Sequence, residues 1–340
     1  MADSLRTLMV GCGSISQTWL EAIKGSDEIE IVGLVDINEA AAKQRKEQYA
    51  LNAVTGTDFI AAMDSLKPDM VFDLTVPAAH AAVTLAALER GCHVLGEKPM
   101  AETMEDARKM VAAARKAGLL YAVIQNRRYR PQIRAFRAAL DSGRGGRLTT
   151  LNSDFYIGAH FGGFRDHMKH VLLVDMAIHT FDMARFISGA DPVAVYCKEW
   201  NPSGSWYDHD ASAVAVFEMT GGLIYAYRGS WCAEGLNTSW EADWRAVCDR
   251  GSITWDGGDG FRAQAVTETG GFFSKFEDFE VAIPADAKQG DHKGVIEEFV
   301  RCARAGETPE TVCTDNIKSL AMVLAAVESA ETGRRVEIEL

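Results

Sequence analysis

The chain has 340 residues, of which 47% are hydrophobic and 24% charged, with a net charge of −13. An acidic chain with no basic stripe excludes a nucleic-acid partner and argues against a polyanionic substrate. No apolar run approaches the roughly 20 residues that span a bilayer, so no membrane partner is expected.

The first residues, Met1-Ala2-Asp3-Ser4-Leu5, lack the basic and apolar regions of a secretory leader. The seven cysteines are odd in number and show no Cys-x-x-Cys spacing. Reduced, buried thiols in a cytoplasmic protein are the expectation.

In chain order, the apolar run Leu5–Val10 leads into Gly11-Cys12-Gly13-Ser14-Ile15-Ser16. An amphipathic stretch with Trp19, Leu20 and Ile23 follows, and a second apolar run, Ile29–Val35, stops at Asp36. This is strand, glycine turn, helix, strand and acid, the pattern of a dinucleotide site. Gly11 permits the tight turn and Gly13 lets the backbone approach a pyrophosphate. The helix start offers free N–H groups and a positive dipole end. Asp36 can accept hydrogen bonds from the adenine-ribose diol. Ser16 stands where the third glycine is usual, a position that needs a small residue.

Further strands are expected at Met70–Leu74, Cys92–Leu95 and Leu119–Ile124. Helices are expected at Glu39–Tyr49, Phe59–Ser65, Ala79–Arg90 and Met104–Ala117. Such alternation predicts a doubly wound parallel sheet, a Rossmann α/β domain over 1–125. The strand before Gly96-Glu97-Lys98-Pro99 would place Lys98 where ligands gather in open α/β sheets, and the bond to Pro99 can be cis. Taken alone, the segment reads as a turn with a solvated lysine.

The texture changes after a helix at Pro131–Leu140. Strand-like stretches follow at Leu148–Tyr156, Val193–Trp200, Ala211–Met219, Leu223–Trp231 and Trp240–Cys248, with shorter ones to about Ile283. Helical patterns occur at Val171–Ile187, Lys293–Ala305 and Asn316–Thr332, and a last strand at Val336–Glu339. This predicts an α+β domain over 126–340, an open, mostly antiparallel sheet flanked by helices. A wide sheet face bearing tryptophans is a natural surface for a homodimer or homotetramer.

Within the Val171–Ile187 pattern, Asp175 and His179 are four residues apart and Asp182 three further on, so one helix face carries all three. That face is either a proton-handling site or a buried structural network. His160, His167, His170 and Asp175 are near in sequence, but no tight His-x-x-x-His pair or cysteine completes a metal site, and none is expected.

Together these residues resemble the Gfo/Idh/MocA oxidoreductases. The likeness rests on the glycine loop, on Thr75-Val76-Pro77 with His80, on Glu97-Lys98-Pro99, on Gln125-Asn126-Arg127-Arg128-Tyr129, and on Asp175, His179 and Asp182. It implies hydride transfer between a nicotinamide and a secondary hydroxyl of a sugar, sugar derivative or cyclitol. By the same resemblance, Lys98 contacts the substrate hydroxyl and nicotinamide, His179 is the general base, and Asp175 orients it and binds substrate. The cofactor would be held by Gly11, Gly13, Ser14, Ile15, Asp36, Thr75, Pro77, His80, Glu97, Lys98 and Asn126. Arg127, Tyr156, His160 and Arg165, with Asp175 and His179, would meet the substrate. The Asp36 carboxylate repels a 2′-phosphate and Ile37-Asn38 follow it, which favours NAD over NADP, although Lys43 and Arg45 lie further along the helix. Two other readings stay open at this point: a glycoside hydrolase of the same fold that keeps its NAD, and a sugar- or NAD-sensing regulator.

Overall fold

Apolar runs that are buried on both faces form the first sheet, as parallel strands between helices must. The computed structural model describes residues 4–340. Residues 1–3, part of the segment read for a leader, lie outside the described residues. The strands are β1 (Leu5–Val10), β2 (Ile29–Val35), β3 (Val54–Gly56), β4 (Met70–Asp73), β5 (His93–Gly96) and β6 (Tyr121–Val123). Their order is β3-β2-β1-β4-β5-β6, and every pair is parallel. The order reverses between β1 and β4, so the carboxyl ends of these two strands flank the crevice where such sheets bind ligands.

The crossover helices are α1 (Ile15–Ile23), α2 (Glu39–Gln48), α3 (Phe59–Leu66), α4 (Pro77–Glu89) and α5 (Met104–Ala117). Local chemistry starts them. Asn38, Asp58 and Thr103 accept bonds from the first-turn N–H groups of α2, α3 and α5, and Pro77 opens α4. Strand β3 had no counterpart in the sequence reading, because three residues at a sheet edge are too short to show a period.

The described chain divides into two compact units. The first runs to Asn126 and takes in Gly290–Leu320; the second is Arg127–Gln289 with Ala321–Leu340. The division read from sequence, 1–125 and 126–340, kept 290–320 with the second sheet. In the structure α8 (Asp291–Ala305) packs on α1 and β5 of the first unit. Amphipathic spacing reveals which face of a helix is buried, not which sheet buries it.

The second unit holds α6 (Pro131–Asp141), α7 (Ile178–Ser188) and the sheet strands β7 (Leu148–Tyr156), β8 (Pro192–Trp200), β9 (Ser212–Met219), β10 (Ile224–Ser230), β11 (Asp243–Cys248), β12 (Gly251–Trp255), β13 (Phe261–Glu268), β14 (Lys275–Asp278) and β15 (Val336–Glu337). Their order is β14-β13-β12-β11-β7-β10-β9-β8-β15; β7 and β10 are parallel and the remaining pairs antiparallel. The segment α9 (Cys313–Thr332) contributes residues to both units. Strand alternation sorts Phe155, Phe217, Tyr225, Tyr227 and Trp244 to a buried face, where Phe181 of α7 packs edge-on against Phe217 and Tyr227. The opposite face leaves Tyr196, Trp200, Val214 and Val216 exposed.

The stretch read as one helix from Val171 is not uniform. Leu172–Ala177 forms a π-helical turn, and the regular α-helix begins at Ile178. Asp175 lies in the wide turn and His179 beyond it, so the i, i+4 argument for a common face does not carry across. Such turns are rare and often mark functional sites.

Candidate functional site

In the first unit the glycine loop is shaped by close approach. Gly11 sits at φ +98°, and a Cβ there would lie 2.4 Å from the Leu74 carbonyl oxygen. Gly13 differs: a Cβ on it would meet nothing within 4 Å, so its bare face opens onto free space. The first bonds inside α1 are donated by Ser16 and Gln17, which leaves the Ser14 and Ile15 N–H groups at the helix start as donors for an anion.

Asp36 closes the far side of the loop. Its Oδ2 accepts from the Cys12 N–H at 2.7 Å and its Oδ1 from the Asn38 N–H at 2.8 Å. Each carboxylate oxygen retains a lone pair for a ribose hydroxyl. Burial, then the Asp36 charge, push the Cys12 thiol up to about 12, so it stays a thiol.

Ser16, in the third-glycine position, is fully buried and donates to the Gly13 carbonyl at 2.6 Å. It accepts from Arg45 Nε of α2 at 2.8 Å, and Arg45 Nη2 also reaches the Gly13 oxygen at 3.1 Å. In sequence, Lys43 and Arg45 together leave room for NADP, but Arg45 does not face outward as a free helix cation. Its guanidinium is turned to the loop instead, while Lys43 pairs with Glu39 at 3.0 Å.

On the other flank, Thr75 donates through both its hydroxyl (2.6 Å) and its N–H (3.2 Å) to Asp73 Oδ1. Burial raises the Asp73 carboxyl; the His80 charge is the largest influence opposing that rise. The His80 ring lies between two carbonyl oxygens, Nε2 3.0 Å from Thr75 O and Nδ1 2.9 Å from Pro99 O. It therefore ties the Thr75-Val76-Pro77 turn to the loop that carries Lys98. Glu97 is buried, accepting from Trp19 Nε1 at 2.8 Å and from the Lys98 N–H at 3.1 Å. The Lys98–Pro99 bond is cis, Lys98 is half-buried, and Asn126 is buried at the end of this unit. The anchoring role of Trp19 was missed; its place on the inward face of α1 was the only clue.

In the second unit, Arg165 Nε donates to Asp175 Oδ2 at 2.6 Å, so two of the candidate substrate residues are brought together. The Arg165 guanidinium also lies over the Phe161 and Phe164 rings. His179 is buried at the start of α7, one turn before Asp182. Asp182, on the helix face singled out above, is gripped by Arg128.

The remaining candidates keep contacts of their own. Arg127 pairs with the buried Glu241, which Arg130 also meets at 3.1 Å. Tyr156 alternates with Phe155 on β7 and so shares a face with Asp154, the partner of Arg228; burial and the Asp154 charge raise its phenol. His160 stacks on Trp206 with ring centres 3.7 Å apart and puts Nε2 2.8 Å from Glu234. His167 meets Asp208, and His170 meets Glu199 and Glu331. Among the described residues no group of three or more His, Cys, Asp or Glu could hold a metal ion, and no helix is long and apolar enough to cross a membrane.

Comparison with known proteins bears on the fold and the family. Residues 5–125 match the model of an oxidoreductase family with an NAD-binding Rossmann fold, and residues 133–254 match a GFO/IDH/MocA C-terminal domain. The chain is 26% identical to the D-apiose dehydrogenase of Paraburkholderia graminis, over 97% of this chain and 89% of that protein. It is 28% identical to the inositol 2-dehydrogenase of Streptomyces avermitilis, over 100% of this chain and 96% of the other. An oxidoreductase from Agrobacterium radiobacter, solved with NAD+, L-tartaric acid and magnesium, superposes with a TM-score of 0.85 at 22% identity, covering 98% of each chain.

Proposed function

The chain belongs to the Gfo/Idh/MocA oxidoreductase family, and we propose that it moves a hydride between a secondary hydroxyl of a sugar, sugar derivative or cyclitol and the nicotinamide of NAD. The observation that carries the cofactor half is the loop itself. Gly13 faces open space, the Ser14 and Ile15 N–H groups are available, and Asp36 is fixed at the end of β2. These residues fit a dinucleotide without a 2′-phosphate: Asp36 offers a carboxylate to a diol, and Arg45 is committed elsewhere. When bound, NAD supplies the hydride acceptor.

The chain's own residues supply position and proton handling. His179 takes the proton of the substrate hydroxyl, a task suited to an imidazole near neutral pH. The Lys98 ammonium stabilises the developing alkoxide. Asp175, held by Arg165, orients the substrate hydroxyl and the imidazole. The names of the relatives, an apiose and an inositol dehydrogenase, support a polyol substrate.

The exposed row of Tyr196, Trp200, Val214 and Val216 supports a homodimer or homotetramer formed through this sheet. The free thiols, six of the seven buried, fit a cytoplasmic setting. The test of function is the absorbance of reduced nicotinamide, with NAD or NADP, across a panel of sugars, glycosides and inositols. Net reduction of NAD by one polyol group is expected. Cleavage of a glycoside without net NADH would overturn the dehydrogenase reading.

A further inference from the structure

Arg45 is a buried cation whose partners are all neutral. It is 7% exposed. Its Nε meets the Ser16 hydroxyl at 2.8 Å, Nη1 the Gln48 amide oxygen at 2.9 Å and Nη2 the Gly13 carbonyl at 3.1 Å. Among the described residues no carboxylate lies within ion-pair distance of it. Asp36 and Arg45 both act on the Cys12 thiol, yet the Asp36 oxygens are bonded to the Cys12 and Asn38 N–H groups.

A charge taken out of water without a counter-ion is strongly unfavourable. The hydrogen bonds to three neutral oxygens offset only part of that. What the site lacks is negative charge, and it lacks it directly behind the loop whose open face is at Gly13. We propose that Arg45 is the counter-charge for the diphosphate of the bound dinucleotide, applied from behind the glycine loop that it braces through Ser16.

This accounts for the departure at position 16. A third glycine would leave room beside the loop; the serine hydroxyl uses that room to seat the guanidinium, accepting from Nε while donating to the Gly13 carbonyl. The pair replaces a glycine chosen for closeness by a fixed positive charge. The inference rests on the dinucleotide reading of the loop, and the experiment separates the two.

NADH, NADPH, ADP-ribose, ADP and adenosine are titrated into the full chain and into Arg45→Met, Arg45→Lys and Ser16→Gly, with thermal melts of each protein. Arg45→Met is expected to weaken NADH, ADP-ribose and ADP by one common factor, about tenfold or more, and to leave adenosine unchanged. Arg45→Lys, which keeps the charge, recovers part of that loss. Ser16→Gly gives a smaller loss of the same kind and carries the comparison if Arg45→Met does not fold. Unchanged diphosphate binding in the folded variants overturns the proposal, as does an equal loss for adenosine, which would make Arg45 a structural brace only. A loss confined to NADPH overturns it too, since Arg45 would then serve a 2′-phosphate. If the unaltered chain binds none of these ligands, the dinucleotide reading itself fails.

Discussion

Arg128 grips both carboxylate oxygens of Asp182, Nε to Oδ2 at 2.7 Å and Nη2 to Oδ1 at 2.6 Å, with both side chains buried. Arg185 adds a third charge to the cluster, 3.8 Å from Asp182 Oδ1. A forked pair of this kind fixes geometry more than it adds stability, but removing one partner strands the other charge out of water. Asp182 therefore belongs to the scaffold of α7, although it shares the sequence motif with Asp175 and His179. Asp182→Asn is expected to lower unfolding stability by about 3–5 kcal/mol, read by urea denaturation. A variant of full stability that has lost turnover would instead place Asp182 in the chemistry.

The two loop glycines answer to different constraints, and alanine separates them. Gly11→Ala meets a left-handed φ and a carbonyl contact at 2.4 Å, so the protein itself should be destabilised, by about 1–2 kcal/mol for the conformation and more for the clash. Gly13→Ala adds a methyl to open space and should melt like the unaltered protein. It should nevertheless bind NADH roughly tenfold or more weakly, because the methyl occupies the approach of the pyrophosphate. Equal melting temperatures with equal NADH affinity for Gly13→Ala would remove Gly13 from the cofactor cradle.

His170 opens the segment that leads into the π-helical turn and stands at φ +52°. Its Nδ1 is 2.5 Å from the buried Glu199 and its Nε2 3.3 Å from Glu331, and Asp210 acts on Glu199 as well. The hydrogen bond to Glu199 raises the His170 pKa above its ordinary 6.5. A raised histidine stabilises the fold fully below that ordinary value, and the contribution is lost as pH rises through the folded value. Burial raises the Glu199 carboxyl, which acts in the same direction. His93 is shifted the other way by burial, so a single melt is a mixture. The difference between proteins isolates the pair: the melting temperature should fall more steeply above pH 6.5 in the unaltered chain than in His170→Gln. Parallel curves would show that the pair is not coupled to folding.

Much of this was legible because it depends on local spacing. The glycine loop, Asp36 at the end of β2 and the Glu97-Lys98-Pro99 turn after β5 all follow from strand and turn patterns within a few dozen residues, whereas the sequence leaves the Lys98–Pro99 bond free to be cis or trans. What depends on distant partners was not. Nothing in the sequence near Glu97 announces Trp19, 78 positions earlier, as its hydrogen-bond donor. Arg45 reads as an ordinary helix cation until α2 is laid against the loop. Leu172–Ala177 reads as any apolar helical turn, since an added residue per turn leaves no mark in composition. Arg127 looked available for substrate because its partner, Glu241, comes more than a hundred residues later.

The proposed chemistry of Lys98 and His179 can be told apart from cofactor holding, a task Lys98 shares with the glycine loop. Lys98 follows Glu97, whose carboxylate accepts from Trp19 Nε1 and from the Lys98 N–H, bonds that a change confined to the lysine side chain leaves in place. Lys98→Met should bind NADH within a few-fold of the unaltered protein while kcat falls by about 10²–10³, the usual loss when a group stabilising a developing oxyanion is removed. His179→Gln should likewise lose about 10²–10⁴ in kcat, the range of general-base catalysis, with little change in melting temperature. Stopped-flow single turnovers with saturating NAD and the polyol found in the panel read the hydride step directly. If Lys98→Met retains most of that rate, the ammonium is not at the reacting oxygen, and its placement after β5 serves cofactor binding alone.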